Sequence, residues 1–75
     1  MQYALKTEKA KVRVFPFGRD SWMFNFTYND GSGSESEWFP TLRRTKEEAV
    51  AVYKIRTGDY NMKRANWIQQ EDVDE

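Results

Sequence analysis

WMFNFTY, residues 22–28, is the stretch that decides the fold of this chain. A period of two with aromatic residues is typical of a β-strand. An aromatic strand face is a large apolar area, so we expect another element of the chain to cover it. The alternation separates an aromatic face from a mixed face: Trp22, Phe24, Phe26 and Tyr28 against Met23, Asn25 and Thr27.

The segments on both sides of this strand predict two partners for it. Residues 11–17 alternate, with Val12 and Val14 on one side, which indicates a second strand. Residues 29–36 are small and polar and contain the turn dipeptide Asp30-Gly31, so we expect a long hairpin loop there. Residues 37–42 then form a third strand that Pro40 interrupts.

A helix is predicted directly after the third strand. Thr45-Lys46-Glu47-Glu48 has the Ser/Thr-x-x-Glu form of a capping box, and Gly58 is a natural helix end. We therefore expect the helix to begin near residue 46 and to pack on the aromatic face of residues 22–28. Between cap and stop, four residues recur at helical spacing: Ala49, Val52, Tyr53 and Arg56.

These elements predict an α+β fold of the βββα type, in which a three-stranded antiparallel sheet packs on one helix. We expect a single domain over residues 1–70. Residues 59–70 fit a second helix begun by Asp59, a short strand around Trp67, or an extended strap, with disorder from residue 69. Residues 71–75 carry four acids, and we expect a disordered acidic tail there.

The composition argues against an enzyme. The 75 residues contain no Cys and no His, so thiol nucleophiles, imidazole bases and the usual zinc sites are excluded. The carboxylate pairs Glu47/Glu48 and Glu35/Glu37 are explained by helix capping and by a solvated hairpin. We expect no catalytic residue, metal, cofactor or small-molecule substrate. Because no signal peptide or membrane span is recognisable, we also expect a cytoplasmic protein without membrane contacts.

A macromolecular partner is the remaining expectation. Trp and Tyr beside Arg are the usual composition of a binding hot spot, and the chain has more aromatic residues than one helix covers. Self-association through an edge strand is a further alternative. The predicted binding residues are those of the open sheet face and the basic residues near it: Arg13, Arg19, Met23, Asn25, Thr27, Trp38, Arg43 and Arg44.

Residues 38–53 carry a family resemblance. The run Trp38-Phe39-Pro40-Thr41-Leu42, followed by residues 45–53, TKEEAVAVY, is similar to the third strand and helix of ethylene-response-factor (Apetala-type) DNA-binding domains. The Thr-Lys-Glu-Glu-Ala segment also resembles the arm-binding domains of tyrosine-recombinase integrases. Both resemblances imply three antiparallel strands against one helix, with the open sheet face reading the major groove of DNA.

The departures from this pattern favour a protein partner over DNA. Asn25, Thr27 and Ser36 stand where the family carries Arg, and the hairpin is expected to bring Glu35 and Glu37 to the same region. An acidic hairpin opposes the phosphate neutralisation on which DNA affinity depends. The sequence thus predicts a small non-catalytic regulator or inhibitor that binds a protein, with major-groove DNA binding as the alternative. Phages and mobile elements encode many such proteins, and a phage protein would act in the host cytoplasm.

Overall fold

The computed structural model describes residues 1–62 and 64–70. Five strands form one antiparallel sheet in the order β4-β3-β2-β1-β5, and a single helix packs against it. We call the side of the sheet that meets the helix the inner face and the opposite side the outer face. The elements are β1 (Gln2–Lys6), β2 (Ala10–Phe17), β3 (Ser21–Tyr28), β4 (Ser34–Phe39), α1 (Leu42–Thr57) and β5 (Ile68–Gln70).

The predicted α+β class is confirmed, but the sheet has five strands instead of three. The two additional strands are short. β1 pairs across a tight turn with β2, its neighbour in sequence, whereas β5 pairs with β1 at the other end of the chain, which local alternation does not reveal. In β1, Tyr3 lies opposite Val14 and Leu5 lies opposite Val12. In β5, Ile68 lies opposite Ala4, so the strand alternative for residues 59–70 is correct at their end.

Two further expectations concern the C-terminal end of the chain. Disorder from residue 69 is wrong, because Gln69 and Gln70 pair with β1. The expected tail, residues 71–75, lies outside the described residues.

The strand before the helix also begins earlier than predicted, at Ser34, and ends at Phe39, directly before Pro40. Pro has no N–H for a strand ladder, which is consistent with an end at this point.

The core lies between the aromatic face of β3 and the helix, as predicted. Phe24 and Phe26 are buried at 0% and 1% exposure, and Trp22 and Tyr28 are half-buried at the two ends of the same face. Ala49 is the fully buried small residue of the helix. The other fully buried residues around these rings come from the neighbouring strand and the helix: Ala10, Val12, Val14, Thr45 and Tyr53.

The start of the helix differs from the prediction. Thr41, not Thr45, is the N-cap: its Oγ1 accepts the Arg44 N–H at 3.1 Å. Thr45 lies inside the first turns, fully buried, and its hydroxyl donates to the Thr41 carbonyl at 2.7 Å. The predicted Thr45–Glu48 capping box is therefore wrong. The end is as predicted, because Gly58 adopts a left-handed φ of 75° that a side chain would disfavour.

Tyrosine hydroxyls anchor the C-terminal end of the helix. The buried Tyr53 hydroxyl hydrogen-bonds to Thr7 Oγ1 at 2.9 Å and donates to Asp59 Oδ2 at 3.0 Å. The Tyr28 hydroxyl donates to the Arg56 carbonyl at 2.9 Å. The helix is thus fixed to the β1–β2 turn and to β3, and among the described residues no element covers the outer face.

Candidate functional site

A row of apolar side chains crosses the outer face. The register places Phe15 of β2, Met23 of β3 and Trp38 of β4 side by side. Phe17 extends the row, with its ring centroid 6.3 Å from that of Trp38 at a tilt of 32°. Phe17 is 44% exposed and Trp38 is 55% exposed. We call these four residues, Phe15, Phe17, Met23 and Trp38, the apolar row.

A polar row runs beside the apolar row and is displaced from it by two residues along each strand. It consists of Arg13, Asn25 and Ser36. The Asn25 amide donates from Nδ2 to Ser36 Oγ at 2.8 Å, and its Oδ1 accepts from Thr27 Oγ1 at 3.1 Å. Because both ends of the Asn25 amide are engaged within the sheet, this side chain is held in one orientation.

Arg13 connects the two rows. Its guanidinium carbon lies 5.2 Å from the centre of the Phe15 ring, within the range of a cation–π contact. One guanidinium nitrogen, Nη2, also donates to Gln2 Oε1 at 3.4 Å. The contact fixes the cation against the edge of the apolar row and leaves further guanidinium N–H groups for an external acceptor.

The charges on the outer face have one sign. Its strand positions carry the cations Lys6, Lys11 and Arg13 and no carboxylate. Glu35 and Glu37 lie opposite Phe26 and Phe24, so they belong to the inner face. The expectation that they share the binding surface is therefore wrong, and the strand positions of the outer face carry only positive charges.

On the inner face, Glu35 is paired with the helix. Arg56 Nη2 lies 2.8 Å from Glu35 Oε1, and Arg56 Nε donates to the same oxygen at 2.9 Å. Both contacts fall on Oε1. The ion pair joins the C-terminal end of the helix to the outermost strand of the sheet.

Five of the eight predicted binding residues lie together on the outer face: Arg13, Met23, Asn25, Thr27 and Trp38. The other three are at the end of the sheet where β2 turns into β3 and the helix begins. Arg19 is exposed in that turn. Arg44 lies over the Phe39 ring at 5.1 Å on the inner side, and Arg43 pairs with Glu47 at 3.4 Å. None of these three arginines therefore belongs to the outer face.

Phe15 and Phe17 are not among the predicted binding residues. The alternation of residues 11–17 places both on the same side as Arg13, so the signal was present. Ile68, 55% exposed opposite Ala4, also belongs to the outer face. No sequence signal for Ile68 was available, because its face depends on pairing with a strand that was not predicted.

A second aromatic cluster surrounds Lys46 on the helix side. The ammonium nitrogen lies 3.7 Å from the centre of the Tyr3 ring and 5.8 Å from that of Trp67. Partial burial lowers the pKa of Lys46 below its ordinary value of 10.5, because it disfavours the charged form. The rings offset part of that loss through cation–π attraction, so the cluster is explained as a contact between the helix and residues 64–67.

Comparison of the chain with protein-family models, with curated proteins and with solved structures found no match. In the described part of the chain, α1 is too short and too polar to cross a bilayer. Within the same residues, no group of three or more Asp and Glu side chains is arranged to hold a metal ion. The expected absence of catalysis and cofactors stays a prediction.

Proposed function

We propose that this protein is a small non-catalytic binding module, a regulator or inhibitor, which binds a protein partner through its outer face. The observation that supports this most directly is the apolar row. Phe17 and Trp38 are about half exposed next to each other, and no described element covers them. Contiguous exposed apolar side chains on a small domain commonly mark an interaction surface.

The composition of the outer face supports a protein partner. Aromatic residues, Met and Arg are enriched at the centres of protein interfaces, whereas Asp and Glu are depleted there. The apolar row and Arg13 follow this pattern, and the strand positions around them carry no carboxylate. An acidic or neutral rim on the partner, around an apolar centre, would match this surface in charge.

The dimensions of the face suggest a modest interface. Four interstrand spacings give a width of about 19 Å, and eight residues give a length of about 27 Å. Their product, about 500 Å² on this side, is below the roughly 800 Å² per partner of a standard interface. We therefore expect a regulatory complex of moderate affinity, with the binding energy concentrated in a few side chains.

DNA is the second candidate partner, and the charge of the outer face is the observation that favours it. Arg13, Lys6 and Lys11 lie there without an acidic neighbour on that face. Two observations support a protein partner over DNA. The sheet is about 19 Å wide, whereas the major groove is about 12 Å wide. The Asn25 amide, a typical group for reading adenine, is engaged by Ser36 and Thr27.

A comparison of matched alanine variants tests the proposal. Trp38 exposes about 140 Å² of side chain, for which hydrophobic transfer allows up to about 3 kcal/mol. A hot-spot loss of about 2 kcal/mol would weaken binding roughly 30-fold. The control is Ile55→Ala, because Ile55 is 67% exposed on the helix, away from the outer face.

The proposal predicts that a partner isolated with the wild-type chain binds Trp38→Ala and Arg13→Ala more weakly but binds Ile55→Ala normally, as measured by calorimetry. Equal affinity for Trp38→Ala and wild type would exclude the outer face. A gel shift with duplex DNA that disappears steeply with salt and requires Arg13 would instead establish the second candidate.

A further inference from the structure

We propose that the free edge of β4 binds an extended peptide strand which carries a basic residue opposite Glu37. This inference is independent of the proposed function, because it rests on the sheet edge and not on the outer face. β4 is the last strand on one side of the sheet in the described part of the chain. Strand addition to an exposed edge is a recurring mode of peptide recognition.

The backbone of β4 determines which groups are free. Tyr28 N–H donates to the Gly33 carbonyl at 3.1 Å, so these two residues form a hydrogen-bonded pair of the antiparallel ladder. Such pairs alternate along a ladder, and residues 35, 37 and 39 therefore direct their N–H and C=O groups toward β3. It follows that Ser34, Ser36 and Trp38 direct theirs away from the sheet. The backbone N–H and C=O groups of these three residues are therefore available for a ladder of hydrogen bonds with an added strand of five residues.

The side chains of β4 disfavour a second copy of this chain as the added strand. In a symmetric antiparallel pair of β4 strands, residues on the same face lie opposite each other. If Ser36 lies opposite Ser36 of the second copy, Glu35 of each copy lies opposite Glu37 of the other. If the centre of the pair moves by one residue either way, to Glu37 or to Glu35, that residue lies opposite the same residue of the second copy. Like charges directly opposite each other are destabilising, so the edge selects a different strand.

The same positions define the partner that the edge favours. Glu37 is exposed on the inner face and makes no ion pair with any described residue, whereas Glu35 is already paired with Arg56. On the free side of β4, Glu37 and the residue of an added antiparallel strand opposite it would form a pair without backbone hydrogen bonds. In such pairs the side chains of neighbouring strands approach most closely. A Lys or Arg opposite Glu37 would therefore meet its carboxylate.

A cavity beside β4 indicates what the added strand would place opposite Glu35. It has a volume of about 240 Å³ and is lined by Phe26, Tyr28, Gly33, Ser34, Glu35 and Arg56. An aliphatic side chain of the added strand would fit against the rings of this cavity without disturbing the Glu35–Arg56 pair. The preferred strand thus has a basic residue and an aliphatic residue two positions apart on its inner side.

The probe is a synthetic peptide, acetyl-Val-Lys-Thr-Leu-Val-amide, and its control has Glu in place of Lys. In a ¹⁵N titration by NMR, the Lys peptide should shift the amide signals of Ser34, Ser36 and Trp38 downfield. It should bind about five-fold more tightly than the Glu peptide, the difference expected between an attractive and a repulsive cross-strand pair.

Ser36→Pro removes one free N–H without removing a hydrogen bond to β3, and Ser36→Ala is its matched control. Both variants lose the bond from Asn25, but only Ser36→Pro should lose peptide binding. The dispersion of the remaining NMR signals reports whether each variant is folded. Shifts confined to outer-face residues of β2 and β3, such as Arg13 and Met23, or to β5, equal binding of both peptides, or self-association that Ser36→Pro abolishes would overturn the inference.

Discussion

Removal of a single oxygen atom, in Tyr53→Phe, should weaken the attachment of the helix to the sheet. The Tyr53 ring is fully buried against Phe26, with the ring centroids 6.5 Å apart. Its hydroxyl joins three segments: the helix, Thr7 in the β1–β2 turn and Asp59 after the helix. Phe keeps the ring and its packing, so the substitution isolates the hydrogen bonds.

The size of the effect follows from the partners. A hydrogen bond to a charged group contributes about 1.5–3 kcal/mol to stability, and a neutral one about 1 kcal/mol. Asp59 is only half-buried, so water replaces part of the lost interaction in the variant. We expect the free energy of unfolding to fall by about 2 kcal/mol. For a domain of this size, that loss corresponds to a melting temperature lower by roughly 8–16 °C.

Urea denaturation followed by tryptophan fluorescence measures this change as a shift of the transition midpoint. The control is Tyr60→Phe, the same chemical change at a side chain that is 67% exposed, for which we expect a change of less than about 0.5 kcal/mol. If Tyr53→Phe is as stable as Tyr60→Phe, the hydrogen bonds of the Tyr53 hydroxyl do not hold the helix in place and the reasoning is refuted.

Three further outcomes follow from the structure. Phe24→Ala should lower the free energy of unfolding by about 3–5 kcal/mol, whereas Trp38→Ala, at a half-exposed position, should lower it by less than about 1.5 kcal/mol. If urea denaturation gives similar losses for the two variants, the assignment of these residues to the inner and outer faces is contradicted. Thr41→Ala should lower the free energy of unfolding by about 1 kcal/mol because it removes the N-cap, whereas Glu48→Gln should change the midpoint of thermal unfolding little. A larger loss of stability for Glu48→Gln than for Thr41→Ala would support the capping box at Thr45 instead. Hydrogen bonds from the side chain and backbone of Ser32 lower the pKa of Asp30 below its ordinary 3.8, so its ionised form is favoured in the fold and the associated stability is lost as the pH falls through that depressed pKa. An NMR titration should therefore show the Asp30 carboxyl titrating at lower pH in the wild type than in Ser32→Ala, and identical titration curves would remove the Ser32 contribution.

The strand that carries the core was predictable because its pattern is local. Alternation over residues 22–28 correctly identified the buried rings of Phe24 and Phe26 and the outward positions of Met23 and Asn25. The same parity applied to the next strand places Trp38 on the outer face and Glu37 on the inner face. The misplacement of the glutamates thus came from treating the hairpin as one region, although neighbouring residues of a strand point to opposite faces.

The remaining elements differ in how local their contacts are. β1 has five residues and pairs with β2, its neighbour in sequence, so its position was open to prediction from the sequence, whereas β5 has three residues and pairs only with β1 at the other end of the chain. Two nearby threonines, Thr41 and Thr45, are candidates for the N-cap of the helix. Thr45 satisfies a local motif, but the N-cap is Thr41, four residues earlier, and the helix begins at Leu42, soon after β4 ends at Phe39. Such outcomes follow from tertiary structure, which overrides local propensity.

Site-specific photo-cross-linking in the cell tests most directly whether the outer face is the contact surface. A photoreactive phenylalanine analogue is placed at position 38 in one variant and at position 55 in another, two positions of similar exposure on opposite sides of the molecule. We predict a discrete cross-linked complex from position 38 and none from position 55. A complex formed only from position 55, or equally from both positions, would contradict the account.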